Sequence, residues 1–395
     1  MDKTIAIFEE FKIRRIFDDE TETWYFSIID ILQALLEQDD YQKARKYWNK
    51  LKQRLKNRMK RTGFLLEQIA DSENLRIAFW KASRMKAGKK EVTSFQKNLE
   101  KNLTDLREQL LKISIDIGHY HYFTIYDPKE RIICAASFPE RVLHHAIMNI
   151  CDPYFEKFQI YDSYATRKNK GTFAAVDRAH NFTKRNELFL KLDIRKYFDS
   201  IDHNVLLKLL GKKFKDPKLL EIFEQIINSY STSQSKGLPI GNLTSQYFAN
   251  FYLAFLDHFI KEDLQIKHYV RYMDDMILWG NTKIEIKDNL KRIKEYLNNQ
   301  LALNIKPELL NYTSKGLPFL GYLLYPNGKR LNSRSKKRFI KKVKLYENKL
   351  SNEKWSQEEY QRHILPLLDF VKKANTHNFR SMLFEKGINQ GARTV

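Results

Sequence analysis

Two apolar runs along the chain carry acids where burial should exclude them. Leu188 to Ile194 reads LFLKLDI and ends at Asp193. Val270 to Trp279 reads VRYMDDMILW and holds Asp274 beside Asp275. The first run predicts a buried strand, and the second a pair of buried strands joined by a tight turn. Adjacent residues of an extended strand face opposite sides, so the turn must help both acids reach one place. Around these runs the pattern alternates between strand and helix. Ile5–Phe8 and Ile13–Phe17 read as short strands, followed by the polar turn Asp18-Asp19-Glu20. Trp24–Leu36 reads as a strand running into a helix, and Tyr47–Leu55 as a basic helix. Residues 64–113 are helical, rich in Lys, Glu and Leu, and Phe123–Ile133 is a hairpin turning at Asp127-Pro128. Over Arg141–Phe158, the residues Val142, Leu143, Ala146, Ile147 and Ile150 fall on one helical face. Asp202 caps the helix that follows it. Phe248, Phe251, Tyr252, Phe255 and Phe259 make a core stripe on a helix over Ser245–Ile260, and basic helices run from Ser333 onward. The expected fold class is α+β, with hairpins at the acidic sites.

Charge narrows the partners. The 395 residues carry a formal net charge of +22, and a chain this basic is drawn to polyanions, nucleic acid above all. Cys134 and Cys151 are spaced neither for a metal site nor for a disulfide framework, and read as reduced thiols of a cytoplasmic protein. The first residues contain no apolar signal core, and the longest apolar stretch, Phe248–Ile260, holds Asn250, Asp257 and His258. That stretch is too short and too polar to span a bilayer. No membrane partner is expected.

Burying one unpaired carboxylate is costly, and burying neighbours is worse. Asp193, Asp274 and Asp275, each at the end or tip of a buried strand, form a hard-oxygen set suited to Mg2+. Two such ions, about 3.5–4 Å apart, can activate a 3′-hydroxyl and stabilise a leaving pyrophosphate. Asp18-Asp19 and Asp39-Asp40 lack apolar flanks and read as solvated turns.

Here the residues carry a family resemblance. YMDD inside an apolar hairpin resembles the catalytic motif of reverse transcriptases, and LDIRKYFDSID resembles the first catalytic motif of the same family. The resemblance implies a right-hand polymerase with fingers, a palm built on an antiparallel sheet, and a helical thumb. It implies metal ligands at Asp193, Ile194, Asp274 and Asp275, with Mg2+ as the ion and Mn2+ as its substitute. Phe198 becomes the steric gate against a 2′-hydroxyl, with an ordinary core aromatic as the plain alternative. DPKERIICAASFPERVLHHAI resembles the fingers segment that holds the incoming triphosphate, through Arg131 and Lys129. DSYATRKNKG resembles the next fingers block and places Arg167, Lys168 and Lys170 near template or nucleotide. LALNIKPE resembles the motif after the catalytic hairpin, with Lys306 near the pyrophosphate. LPFLGYLLY resembles the primer grip, with Phe319, Leu320 and Gly321 beneath the primer end, near Tyr272 and Met273. Nine of the sixteen residues from Lys329 to Lys344 are basic; Arg334, Lys336, Lys337 and Arg338 among them are expected to follow a duplex backbone. The implied domains are an N-terminal extension at 1–57, N-terminal helices and fingers at 58–185, palm at 186–325 with a fingers segment at about 203–240, and thumb at 326–395.

One stretch points to a subgroup. KGLPIGNLTSQYFANFYL has Ile240 where retroviral and group II intron enzymes typically have glutamine, and Gln246 where they have proline. Isoleucine followed by GNxxSQ resembles the reverse transcriptases of diversity-generating retroelements. That resemblance implies error-prone cDNA synthesis opposite template adenines, a template-repeat RNA, an RNA/cDNA duplex, dNTP substrates and a small basic helical-bundle accessory protein. Ile240 and Gly241 would border the nucleotide with Gln246; the plain alternative is that Ile240 only packs the pocket floor. KIRRIFDDETETWYFSIIDILQALL, continuing to ARKYWNKLKQRL, resembles the start of the Bro-N domain of phage antirepressors. Two other readings stay open: a defence-associated bacterial reverse transcriptase, and an RNA-binding scaffold without turnover. A bacterial, archaeal or phage gene is implied.

Overall fold

The structure is a computed structural model that describes residues 3–8, 11–18, 23–35, 40–56, 63–86, 88–126 and 130–385. The chain forms two compact units, Met1–Arg61 and Thr62–Val395.

In the first unit, β1 (Lys3–Phe8), β2 (Phe11–Asp18) and β3 (Thr23–Phe26) make an antiparallel meander, followed by α1 (Ile28–Leu35) and α2 (Tyr41–Lys56). The strands and helices arise where the apolar pattern predicts them; most of the turn proposed at Asp18-Asp19-Glu20 lies outside the described residues. Asp30 on α1 accepts the Arg14 guanidinium at 2.7 Å and its backbone N–H at 2.9 Å, tying helix to sheet. The Arg14 hydrogen bond pulls the Asp30 carboxyl down to about 2, against the cost of burial.

The second unit opens with α3 (Leu66–Ile69), α4 (Ser72–Ser83), α5 (Lys90–Lys97) and α6 (Leu99–Lys112). Phe79, Phe95 and Phe138 meet at their centre with ring centroids 5.3–6.0 Å apart. A hairpin follows, β4 (Tyr120–Ile125) and β5 (Arg131–Ala136), whose turn at Asp127-Pro128 lies outside the described residues. Then come α7 (Phe138–Glu156), α8 (Thr172–Arg185), β6 (Leu188–Asp193), α9 (Tyr197–Ser200), α10 (His203–Lys213), α11 (Pro217–Asn228) and α12 (Leu243–His258). The cap expected at Asp202 is present: its carboxylate accepts the Val205 N–H at 3.0 Å.

β7 (Tyr269–Tyr272), β8 (Asp275–Gly280), α13 (Lys283–Leu301) and β9 (Leu309–Tyr312) complete a four-stranded antiparallel sheet of order β7-β8-β6-β9. A second sheet joins β10 (Leu317–Phe319), β11 (Tyr322–Tyr325) and β12 (Gly328–Leu331). The basic helices α14 (Ser333–Ser351), α15 (Gln357–Lys372) and α16 (His377–Glu385) follow. The α+β class expected from the alternating pattern is the one observed.

Strand alternation sorts the larger sheet into two faces. Phe189, Val270, Ile277 and Trp279 pack on one face into a core shared with α8, β10, β11 and the C-terminal helices. Tyr269 and Arg271 point to the other face, where both bond Asp257 of α12. Being apolar almost all round, α12 is buried along most of its length, including Phe248, Phe251 and Tyr252 from the stripe read in the sequence.

Asp216 holds three backbone donors at once: Leu65 and Leu66 at 2.9 and 3.1 Å, and Leu219 at the start of α11 at 3.3 Å. Asp216→Ala strands buried N–H groups 150 residues away. It is expected to destabilise the protein by about 2–4 kcal/mol, read as a lower urea midpoint at unchanged slope.

Candidate active site

Asp193 is the last residue of β6 and lies directly opposite Asp275, the first residue of β8. Residues so paired share a face, with Cβ atoms about 4.5–5.5 Å apart. Tyr272 pairs with that same Asp275, so Met273 and Asp274 alone form the turn between β7 and β8. Met273 sits in the left-handed region, with φ of 54°, a conformation that costs a non-glycine residue about 1–2 kcal/mol. The strain sits where the second acid must be turned toward the first.

A buried strut holds this turn. Arg271 and Asp257 have side chains with 0% exposure and meet at 2.6 Å. The same guanidinium donates to the Met273 carbonyl at 3.1 Å and to Asn250 Oδ1 at 3.0 Å, and Tyr269 Oη donates to Asp257 at 2.7 Å. Asn250 and Asp257, seven residues apart on α12, therefore face the sheet and grip the strand leading into the turn.

Two lysines neutralise the outer acids. Lys306 Nζ lies 2.7 Å from Asp193 Oδ1, and Lys191 Nζ lies 2.9 Å from Asp275 Oδ2. Burial pushes the Asp275 carboxyl up to about 6, against the pull of Lys191 and with added repulsion from Asp193 and Asp274. Burial also raises Asp274, an effect reinforced by Asp193 and opposed by its own backbone, Lys306 and Arg131.

The donor set fits a hard divalent cation. Asp275 Oδ1 is sealed from solvent and has no hydrogen-bond partner, an atom whose burial needs a compensating charge. Ile194 bridges Ile305, with Arg195 N–H bonded to the Asn304 carbonyl and Lys306 N–H to the Asp193 carbonyl. That pattern turns the Ile194 carbonyl away from Ile305, toward the β8 side. Asp193, Asp274, Asp275 and this carbonyl are all oxygen ligands of the kind Mg2+ takes. Among the described residues, no three His, Cys, Asp or Glu side chains already stand as an ion cage; the two ammonium groups are what now engage Asp193 and Asp275.

The rim brings several predicted residues together. Lys196, with φ of 46°, turns the chain after β6 so that Tyr197 enters the core while Phe198 stays half-buried. The Phe198 carbonyl accepts the Leu238 N–H at 2.8 Å, and the Ile240 carbonyl accepts the Cys134 N–H of β5 at 2.8 Å. Gly241, at φ 125°, lies so close to β5 that a Cβ there would fall 2.8 Å from Ile133 and 3.2 Å from the Cys134 carbonyl. Only glycine fits that approach. Arg131 shares the hairpin face of Ile133, and its charge is felt at Asp274. Gln246, on the first turn of α12, accepts Thr166 Oγ1 at 3.4 Å. Lys129 lies outside the described residues.

The remaining predicted residues lie in the loop before α8, on β7, at the β10–β11 turn and at the start of α14. Arg167 is committed to both oxygens of Glu156 and to the Ile160 and Ser163 carbonyls, so its guanidinium braces a loop. Lys168 is exposed, while Lys170 lies 3.3 Å from the Tyr161 ring centroid. Tyr272 Oη accepts Thr172 Oγ1 at 3.2 Å. Leu320 and Gly321 form the two-residue turn between β10 and β11, with φ of 46° and 93°, while Phe319 is buried. A Cβ on Gly321 would meet Phe370 and Ser335 at 2.8 Å, so that turn presses against α15 and α14. Arg334, Lys337 and Arg338 are exposed and Lys336 half-buried along the start of α14.

The family description "Reverse transcriptase (RNA-dependent DNA polymerase)" matches residues 127–324, half of the chain, spanning all three acids. The chain belongs to the reverse transcriptase family. Similar proteins include the group II intron-encoded protein LtrA of Lactococcus lactis, 27% identical over 47% of this chain and 32% of LtrA. The COX1/OXI3 intron 2 protein of Saccharomyces cerevisiae is 21% identical over 65% of this chain and 38% of its own length. YkfC of Escherichia coli is 22% identical over 59% of this chain and 73% of its own. The chain thus spans about a third of the length of these two intron proteins. Apo telomerase of Candida tropicalis aligns with a TM-score of 0.43 at 13% identity, over 54% of this chain and 55% of that one. Among the described residues no helix is long and apolar enough to cross a membrane.

For this reverse transcriptase-family chain the sequence had signalled the acids, but not Lys191, Arg271, Asn250 or Asp257. The available signal was a polar residue inside an apolar run, at the spacing that puts it on a shared face: Lys191 two before Asp193, Asp257 seven after Asn250.

Two outcomes follow from the geometry. Arg271→Met leaves Asp257 as a buried unpaired charge and is expected to cost about 3–5 kcal/mol in urea unfolding. Because folding raises the Asp275 value, the metal-free protein loses stability from this group as pH rises from about 4 to about 6. Asp275→Asn should therefore leave stability unchanged at pH 4 and raise it by about 1–3 kcal/mol at pH 7.5, in unfolding experiments with chelator present.

Proposed function

We propose that the protein is an RNA-directed DNA polymerase that copies the template-repeat RNA of a diversity-generating retroelement into cDNA, with frequent errors opposite adenine. The observation that carries the polymerase reading is Asp193 standing opposite Asp275, with Asp274 on the strained turn beside them. When bound, two Mg2+ ions supply Lewis acidity toward the primer 3′-hydroxyl and the triphosphate. Asp193, Asp274, Asp275 and the Ile194 carbonyl hold them. Arg131, with Lys129, binds phosphate oxygens by charge-assisted hydrogen bonds. Lys306 stands beside Asp193, placed to neutralise the departing pyrophosphate. Phe198 offers a flat apolar wall that excludes a 2′-hydroxyl. Phe319, Leu320 and Gly321 support the primer end, and the basic start of α14 follows the duplex.

The error-prone reading rests on position 240. Its backbone is fixed to β5 through the Cys134 N–H, so its side chain has a defined place. A glutamine there could hydrogen-bond the incoming nucleotide and fix its pose; isoleucine has no polar atom to do so. Fidelity then relies on base pairing with less geometric enforcement. The proposed partners are the template RNA, the RNA/cDNA duplex and a small basic helical-bundle protein. The Bro-N-like Met1–Arg61 unit, with seven basic and no acidic residues in α2, is proposed as an additional contact for nucleic acid or partner.

Purified protein with its cognate RNA and accessory protein is expected to extend a primer in Mg2+, and Asp274→Ala to lower extension by about 10³-fold or more. Extension that persists in this variant removes the catalytic assignment. Sequenced cDNA is expected to carry errors concentrated opposite adenine, and Ile240→Gln to reduce them; equal error spectra remove the fidelity claim while leaving the polymerase.

A further inference from the structure

Lys191 is a charge where the pattern asks for none. It is the one charged side chain before Asp193 in LFLKLD, and it shares the face of Asp193 and Asp275. Its ammonium has three contacts. Asp275 Oδ2 lies at 2.9 Å, the Pro318 carbonyl of β10 at 2.8 Å, and the Phe319 ring centroid at 5.9 Å. A counterion for Asp275 would need only the first. The other two reach across to the strand that leads into the Leu320-Gly321 turn. That turn is itself pressed against Ser335 of α14 and Phe370 of α15.

The Asp275 carboxylate is divided by this arrangement. Oδ2 is held by Lys191, while Oδ1 is buried without a partner. Groups that hydrogen-bond one oxygen of a metal-binding carboxylate fix the direction of the other. Here the fixing group also anchors a second structural element.

We propose that Lys191 is a positioning residue that locks the β10–β11 hairpin to the catalytic carboxylate, so that the primer 3′ end is held in register with the reacting centre. This rests on the polymerase reading and adds a residue to it. A neutral side chain of equal length leaves the apolar packing in place but breaks both hydrogen bonds. The hairpin is then free to shift relative to Asp275, and the 3′-hydroxyl with it. Nucleotide binding, proposed for Arg131, Phe198 and Ile240, uses none of the groups that Lys191 contacts.

The test compares full-length wild type, Lys191→Met and Lys191→Arg on a DNA primer annealed to RNA. In saturating Mg2+, Lys191→Met is expected to lower kcat by about 10- to 100-fold, as loss of an orienting partner does. KM for the dNTP should change by less than about threefold. Lys191→Arg, which keeps charge and donors, should recover most of the rate. A second readout needs no turnover: a primer ending in 2-aminopurine, bound in chelator, should show altered 3′-terminal emission in Lys191→Met and near wild-type emission in Lys191→Arg. If Lys191→Met fails to fold, as judged by thermal melting, Lys191→Leu, which also has no donor, replaces it with the same expected split. A wild-type kcat and unchanged terminal emission in the neutral variant would overturn the proposal and leave Lys191 as a counterion. If the wild type extends nothing even with its cognate RNA and accessory protein present, the proposed function falls, and the emission comparison still decides the tether.

Discussion

Three carboxylates at the edge of a buried sheet repel one another, and everything around them answers that repulsion. The sheet fixes Asp193 opposite Asp275 by register, which no side-chain rotation can undo. The turn adds Asp274 at the cost of a left-handed methionine. Lys306 and Lys191 then place an ammonium on each of the paired acids, and Arg271 braces the turn from below. Attraction between unlike charges in a low dielectric is strong, but so is the cost of bringing each charge there. The arrangement is therefore poor as a stabilising device. It makes sense as a site kept ready for a cation.

The buried Arg271–Asp257 pair deserves separate weight. Replacing such a pair by matched apolar residues is often neutral or stabilising, so packing alone gives no reason to keep it. Its geometry supplies one: the guanidinium spans α12 and the Met273 carbonyl, which apolar side chains cannot bond. It converts a helix that is otherwise plain core into a support for the turn. On the proposed polymerase reading, precision at this turn is worth more than the stability given up, because small displacements at a reacting centre cost large factors in rate.

Much of this was legible in the sequence, for a physical reason. An acid inside an apolar run is conspicuous, so Asp193, Asp274 and Asp275 could be read directly. The α12 stripe and the Asp202 cap depend on local periodicity and local hydrogen bonds. Lys191 and Arg271 were not legible, since their partners lie 84 and 14 residues away and only folding brings them together. Asp257 was visible as a polar interruption in an apolar helix, but its direction was not. Arg167 shows what the sequence leaves out: its block suggests a place near template or nucleotide, and the fold adds that Glu156, eleven residues earlier, holds the guanidinium. A charge in a sequence states its sign and leaves open which partner reaches it first.

The most direct test is a crystal of the protein with primer, RNA template and a non-hydrolysable dNTP, soaked in Mn2+ and measured at the manganese edge. The account predicts two anomalous peaks bounded by Asp193, Asp274 and Asp275, with Lys191 still on Oδ2 of Asp275 and the primer terminus beside the peaks. Anomalous density elsewhere, or Asp193 turned away from the 273–275 turn with the nucleotide bound, would contradict it.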